Sequence, residues 1–162
     1  MGNWLQQIRD YIGEDAGGAM DASLHGFANG FPVFALHGAI TVAILLVGLT
    51  VHNLLTPYKE LRLVRQNNAA AGLSLGGAIV SLAIPLSFAM ASSLNWADIV
   101  LWGVLTVLVQ LFALRVVDVL LPDLPRRIRD GEMAAATVLV GMKLAFGFIL
   151  AAAVAGVPLA RF

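Results

Sequence analysis

The strongest constraint on this chain is where its formal charges are missing. No Asp, Glu, Lys or Arg occurs between Asp21 and Lys59, and none between Arg65 and Asp98. Inside the first gap, residues 31–55 are apolar apart from His37, Thr41, Thr50, His52 and Asn53; inside the second, residues 69–91 form the apolar centre. A third stretch, 97–121, is charged only at Asp98 near one end and at Arg115 and Asp118 near the other. A fourth, 133–157, holds one charge, Lys143. Each exceeds the roughly 20 residues that cross about 30 Å of hydrocarbon as a helix. A membrane barrel would instead show segments of about 10 alternating residues. The sequence therefore predicts an all-α integral membrane protein with four transmembrane helices. Composition agrees, because only 12% of residues are charged, about half the share that covers a soluble domain.

The connections carry the expected punctuation. Between the first and second spans, Pro57 opposes helix continuation, and Asn67-Asn68 offers cap chemistry for the second. Residues 92–96 make a short turn whose Trp96 suits the membrane interface. Lys59, Arg62 and Arg65 lie in the first loop and Arg126, Arg127 and Arg129 in the third, while the second loop has no Lys or Arg. By the positive-inside rule loops one and three are cytoplasmic and both termini outside. The terminal segments fit, with Arg9 outnumbered by Asp10, Glu14, Asp15 and Asp21, and only Arg161 at the carboxyl end. Residues 1–30 lack the basic start and cleavage site of a secretory signal. Within them Trp4, Leu5, Ile8, Tyr11 and Ile12 follow helical spacing, so a short amphipathic interfacial helix is expected, followed by a glycine-rich flexible link over 16–30.

Shifting the chain by 64 residues lays the second span on the fourth. Arg62 then falls on Arg126, Arg65 on Arg129 and Gly77 on Gly141. The first and third spans match by hydropathy alone. This predicts two parallel two-helix repeats, 31–92 and 93–162, related by an axis along the membrane normal.

The residues around the second span also carry a family likeness. Thr56-Pro57, the charged run that follows, Asn68-Ala69-Ala70-Ala71, Gly76-Gly77 and Ile84-Pro85-Leu86 resemble the YjfL-like bacterial membrane proteins, the domain of unknown function 350. Glu132-Met133-Ala134-Ala135-Ala136, opening the fourth span, extends the likeness, which covers about residues 34–156. The resemblance implies a bacterial inner-membrane protein of duplicated two-helix units. It implies no agreed activity and brings no catalytic residues.

Among polar residues inside the spans, Lys143 is the sharpest. It lies about ten residues into its helix, hence about 15 Å deep. A lysine there costs roughly 2.5–3.5 kcal/mol or more if unpartnered. Gln110 stands at matching depth on the third span, and Asp118 is an alternative counter-ion. Lys143 therefore reads either as an anion or proton site or as a lysine paired to Gln110, Asp118 or a backbone carbonyl. Arg115 and Asp118, three apart, read as an anchoring pair near the interface. His37 and His52 share a helix face with Thr41 and Gly48 but lie about 22 Å apart along the axis, too far to share one metal ion. They read as boundary histidines, or as part of a hydrated stripe. Small residues at Gly77 and Ser81, and at Gly147 and Ala151, suit close helix contact. Pro85 frees the carbonyl of Ser81.

The function expected is a small channel or transporter for ions or small solutes, working as a homo-oligomer because four short helices enclose little space. The alternative is a structural subunit that recruits a cytoplasmic protein through its basic loops. No cysteine is present, and neither a phosphate-binding glycine loop nor His-Glu-x-x-His occurs. An enzyme, a cofactor, a metal site and a nucleic-acid partner are therefore not expected; the lipid bilayer is.

Overall fold

In a computed structural model, residues 3–56 and 59–156 are described. Pro57 and Arg161 lie outside them, as do the side chains of Tyr11 and Ile12. All regular structure among the described residues is helical: α1 (Asn3–Leu55), α2 (Glu60–Arg65), α3 (Ala69–Ser92), α4 (Trp96–Leu120), α5 (Leu124–Arg129) and α6 (Met133–Ala155). Four stretches are long and apolar enough to cross a membrane: Gly18–Leu55, Ala69–Ser92, Trp96–Leu120 and Met133–Ala155. The chain divides after Leu36 into a small amino-terminal unit and a larger one.

The amino-terminal unit is helical throughout its described residues, and those whose side chains are described are exposed. The flexible link expected over 16–30 is thus corrected to helix. The physical reason is local: between the glycines stand good helix formers, Ala19, Met20, Ala22, Leu24 and Ala28. Their propensity offsets the roughly 1 kcal/mol each glycine costs a helix. Trp4, Leu5 and Ile8 are exposed, and so are Asn3, Gln6 and Gln7 across the wheel. Phe27, Phe31 and Phe34 stack along one side, with ring centroids 5.4 and 6.4 Å apart.

In the larger unit α3 and α6 form the central pair. Their buried positions recur every three to four residues: Ala70, Ser74, Gly77, Ser81 and Pro85 on α3, and Ala135, Leu139, Lys143, Gly147 and Ala151 on α6. Small residues let the backbones meet. A Cβ at Gly147 would lie 2.7 Å from the backbone oxygen of Ser81, the carbonyl that Pro85 leaves without its helical donor. A Cβ at Gly77 would lie 2.6 Å from Val140. Helix α4 packs on both through Thr106, Gln110, Leu114 and Val117, and residues 44–51 of α1 close over Leu82, Val107 and Leu111. Outward residues such as Leu101, Phe112, Val119, Phe148 and Ile149 are apolar and exposed, as hydrocarbon contact requires.

The short helices α2 and α5 lie at the same end of this unit. Asn68 joins the two turns: its Oδ1 accepts from Ala71 N at 2.9 Å, capping α3, while its Nδ2 donates to the carbonyls of Ile128 and Arg129 at 3.2 and 3.0 Å. Asn95 caps α4 by accepting from Asp98 N at 3.0 Å.

Replacing Gly147 by Ala drives a methyl into a backbone oxygen and is expected to cost about 1–3 kcal/mol. At Gly141 an added Cβ meets nothing within 4 Å, so Gly141→Ala is expected to be neutral or to gain up to about 1 kcal/mol. Thermal unfolding in detergent separates them; equal losses at both glycines would refute the asymmetry.

Candidate functional site

Lys143 sits at the eleventh position of the 23-residue α6, yet its ammonium lies nearer the α2–α5 end. Helical side chains lean toward their own amino terminus, and a long lysine stem extends that lean. The ammonium is thereby brought to the sixth residue of α3. Lys143 Nζ donates to Ser74 O at 3.2 Å and to Ser74 Oγ at 3.1 Å, and lies 3.5 Å from Glu60 Oε1. Two hydrogen bonds and one ion pair thus surround the ammonium. The Ser74 hydroxyl accepts from the lysine and donates onward to Glu60 Oε1 at 2.6 Å. The second carboxylate oxygen of Glu60 faces His52 Nε2 at 3.5 Å. The result is an ordered line, His52–Glu60–Ser74–Lys143, from α1 through α2 and α3 to α6. Every member is buried, with Glu60 and Ser74 at 0% and Lys143 at 2% exposure.

Glu60 reaches this position because α2 is amphipathic over only six residues. Glu60, Leu63 and Val64 turn inward while Leu61, Arg62 and Arg65 face out. Burial pushes the Glu60 carboxyl up, but the neighbouring His52 imidazole, the charge of Lys143 and the Ser74 hydroxyl outweigh it and bring it down to about 2. His52 Nε2 and Glu60 Oε2 are not hydrogen-bonded to each other. Glu60 is the partner that the sequence reading missed, because a glutamate in a basic loop looks solvated.

The remaining candidates divide. Gln110 Nε2 donates to the Lys143 backbone carbonyl at 3.3 Å, tying α4 to α6, and its buried Oε1 has no partner. The direct counter-ion of Lys143 is Glu60 and not Asp118. Asp118 instead pairs with Arg115 at 3.6 Å, the arginine half-exposed, and Lys143 reaches it only as a field. His52 is in the line. His37 is not: it is partly exposed, and its carbonyl accepts from Thr41 Oγ1 at 2.8 Å.

Ser74 lies in Gly72-Leu73-Ser74-Leu75-Gly76, the residue spacing of a nucleophile elbow. The context differs from an elbow. That motif needs a sharp strand-to-helix turn, whereas Ser74 is inside α3. The order is also wrong for a triad, in which histidine stands between serine and carboxylate; here the carboxylate stands between. Among the described residues no three His, Asp or Glu groups converge as a metal site requires.

Removing one partner of a buried pair leaves a bare charge and costs about 3–5 kcal/mol. Lys143→Met is expected to lose that much in detergent unfolding, and Lys143→Met/Glu60→Gln to recover most of it. Gln110→Leu, which also removes an orphaned acceptor, is expected to change stability by under about 1 kcal/mol. The pH dependence follows from the lowered Glu60 value. Its contribution is complete above the ordinary 4.5 and is lost as pH falls toward about 2. Unfolding measured between pH 5 and 2 should show this loss in the wild type and not in Glu60→Gln.

Comparison with known proteins agrees with this architecture. The family Domain of Unknown Function (DUF350) matches residues 26–154. The UPF0719 inner membrane protein YjfL of Escherichia coli K12 is 30% identical over 119 residues, covering 74% of this chain and 90% of the relative. The protein of that name from Escherichia coli O157:H7 matches to the same extent. No solved structure matches. With nearly its whole described helical unit inside the match, the chain belongs to the DUF350 family.

Proposed function

We propose that this chain is a bacterial inner-membrane channel or transporter subunit, homo-oligomeric and not an enzyme, in which the His52–Glu60–Ser74–Lys143 line carries or gates protons. The similar YjfL proteins are described as inner membrane proteins, and the charge distribution of the loops favours both termini outside the cytoplasm. The reading rests on one observation: a continuous line of titratable groups buried between apolar helices. Ionisable residues at such depth are costly and default to function. The hydroxyl between lysine and carboxylate makes transfer simple. As Lys143 gives a proton to Ser74 Oγ, Ser74 gives its own to Glu60 Oε1, and the ion pair becomes a neutral pair. Glu60 Oε2 then faces His52 Nε2 at 3.5 Å, the next group of the line.

Two parallel two-helix repeats strengthen the case. The 64-residue shift carries α2 onto α5 and α3 onto α6 in register, and Asn67 (φ 61°) onto Gly131 (φ 85°). Under that shift Glu60 corresponds to the buried Leu124, while Ser74, Lys143 and His52 correspond to Val138, Ile79 and Val116, which face outward. The second copy carries apolar residues at all four places.

A homo-oligomer is favoured because only 6% of the first span's apolar window is buried in a single chain. The second reading, a structural subunit binding a cytoplasmic partner, is favoured by one fact: Lys143 finds two hydrogen-bond acceptors and its counter-ion within the protomer.

In liposomes containing a pH-sensitive dye, wild type is expected to carry proton flux that Lys143→Met and Glu60→Gln each reduce at least about tenfold, the scale of removing one proton-transfer group. Gly141→Ala should leave it unchanged. Flux unaffected by both site variants would refute the relay, and loss of the oligomer without any wild-type flux would favour the structural subunit.

A further inference from the structure

The two basic loops differ in what neutralises them. In the third loop Arg126, Arg127 and Arg129 stand among Asp123, Asp130 and Glu132, and Arg127 is paired directly with Glu132. In the first loop Lys59, Arg62 and Arg65 have one acidic neighbour, Glu60, whose carboxylate is wholly buried and committed to Ser74, Lys143 and His52. No described acidic residue pairs with the three cations. All three are exposed. They line one groove of ≈ 510 Å³ together with Asn53, Leu54 and Leu61.

We propose that this groove binds the phosphodiester headgroup of an anionic phospholipid, with its acyl chains against Leu54 and Leu61. Location comes first. The groove lies between the end of the span Gly18–Leu55 and the start of the span Ala69–Ser92, so it meets the headgroup layer. Charge is second, since Arg62 and Arg65, one helical turn apart, offer guanidinium forks to phosphate oxygens while Lys59 adds a point charge. The apolar neighbours are third. Leu54 is 78% and Leu61 44% exposed, which suits a ligand with tails and not a free phosphate ion. Asn53 adds a polar residue to the groove lining. Basic pockets of this kind beside transmembrane helices are where anionic headgroups lodge. The assignment is independent of the proton relay, because it uses the outer face of α2 only.

The test uses the purified full chain in detergent, titrated with phosphatidylglycerol, with phosphatidylcholine of the same acyl chains, and with inorganic phosphate. The readouts are the melting temperature and the lipid retained in native mass spectrometry. Phosphatidylglycerol is expected to raise the melting temperature and to remain bound, while phosphatidylcholine does neither. In Arg62→Gln/Arg65→Gln the half-saturating phosphatidylglycerol concentration is expected to rise about thirtyfold, the loss of two surface cations. Arg126→Gln/Arg129→Gln should titrate as wild type. If the first double variant fails to fold, Arg62→Gln alone should still retain less lipid. Equal titrations of wild type and Arg62→Gln/Arg65→Gln would overturn the site. So would an equal loss in the third-loop variant, or inorganic phosphate binding as tightly as the lipid.

Discussion

An ammonium held at 2% exposure inside an apolar helix sets terms for every segment near it. Hydrocarbon offers it no oxygen, so the chain must bring oxygens from elsewhere, and three elements are shaped to do so. The glycine at 147 lets α6 approach α3 closely enough for Lys143 to reach both oxygens of Ser74. The brevity of α2 allows Glu60 to turn in from what is otherwise a basic connection. Helix α1 closes the line with His52, whose own carbonyl accepts from Thr56 Oγ1 at 2.8 Å as the helix ends. Each contact presupposes the one before it: without the close α3–α6 approach the lysine has no hydroxyl, and without the hydroxyl the carboxylate has no bridge.

Buried ion pairs seldom stabilise a fold more than well-packed apolar groups would, because desolvation consumes most of the Coulombic gain. The proposed repeat offers an internal comparison for that rule. Leu124 occupies, at the place corresponding to Glu60, the core formed by Ala71, Val117, Ile128, Ala135 and Leu139, with no ion in it. A leucine is therefore compatible with this kind of turn and helix pair. What the polar line adds over its apolar counterpart is chemistry, since a carboxylate, a hydroxyl, an amine and an imidazole can exchange protons and a leucine cannot.

The four spans were legible because hydropathy over more than 20 residues is set by the bilayer and little else. Residues 69–91, 97–121 and 133–157 became Ala69–Ser92, Trp96–Leu120 and Met133–Ala155, and the cap at Asn68 was readable from residue type. Glu60 was not legible in the same way. A six-residue helix lies below any hydropathy window, and three neighbouring cations make its glutamate look like a surface partner. The signal that would have exposed it was the 64-residue alignment, which sets Glu60 opposite a leucine and so marks an inward position. The glycine-rich segment was misread for a different reason: its glycines suggest a turn, while the alanines, Met20 and Leu24 between them are helix formers.

Helix α2 finally joins the buried and the exposed chemistry in one rigid piece. Glu60 is its first residue and faces Lys143; Arg62 and Arg65 follow within one and a half turns and face outward. A unit of six residues cannot rotate one of these faces without the other. Lifting Glu60 from Lys143 would strand an ammonium and a carboxylate at several kcal/mol each, unless both had first become neutral by passing a proton through Ser74. Under the proposed relay, the protonation of the buried line thus sets what it costs to move α2. The basic groove uses the opposite face of the same six residues.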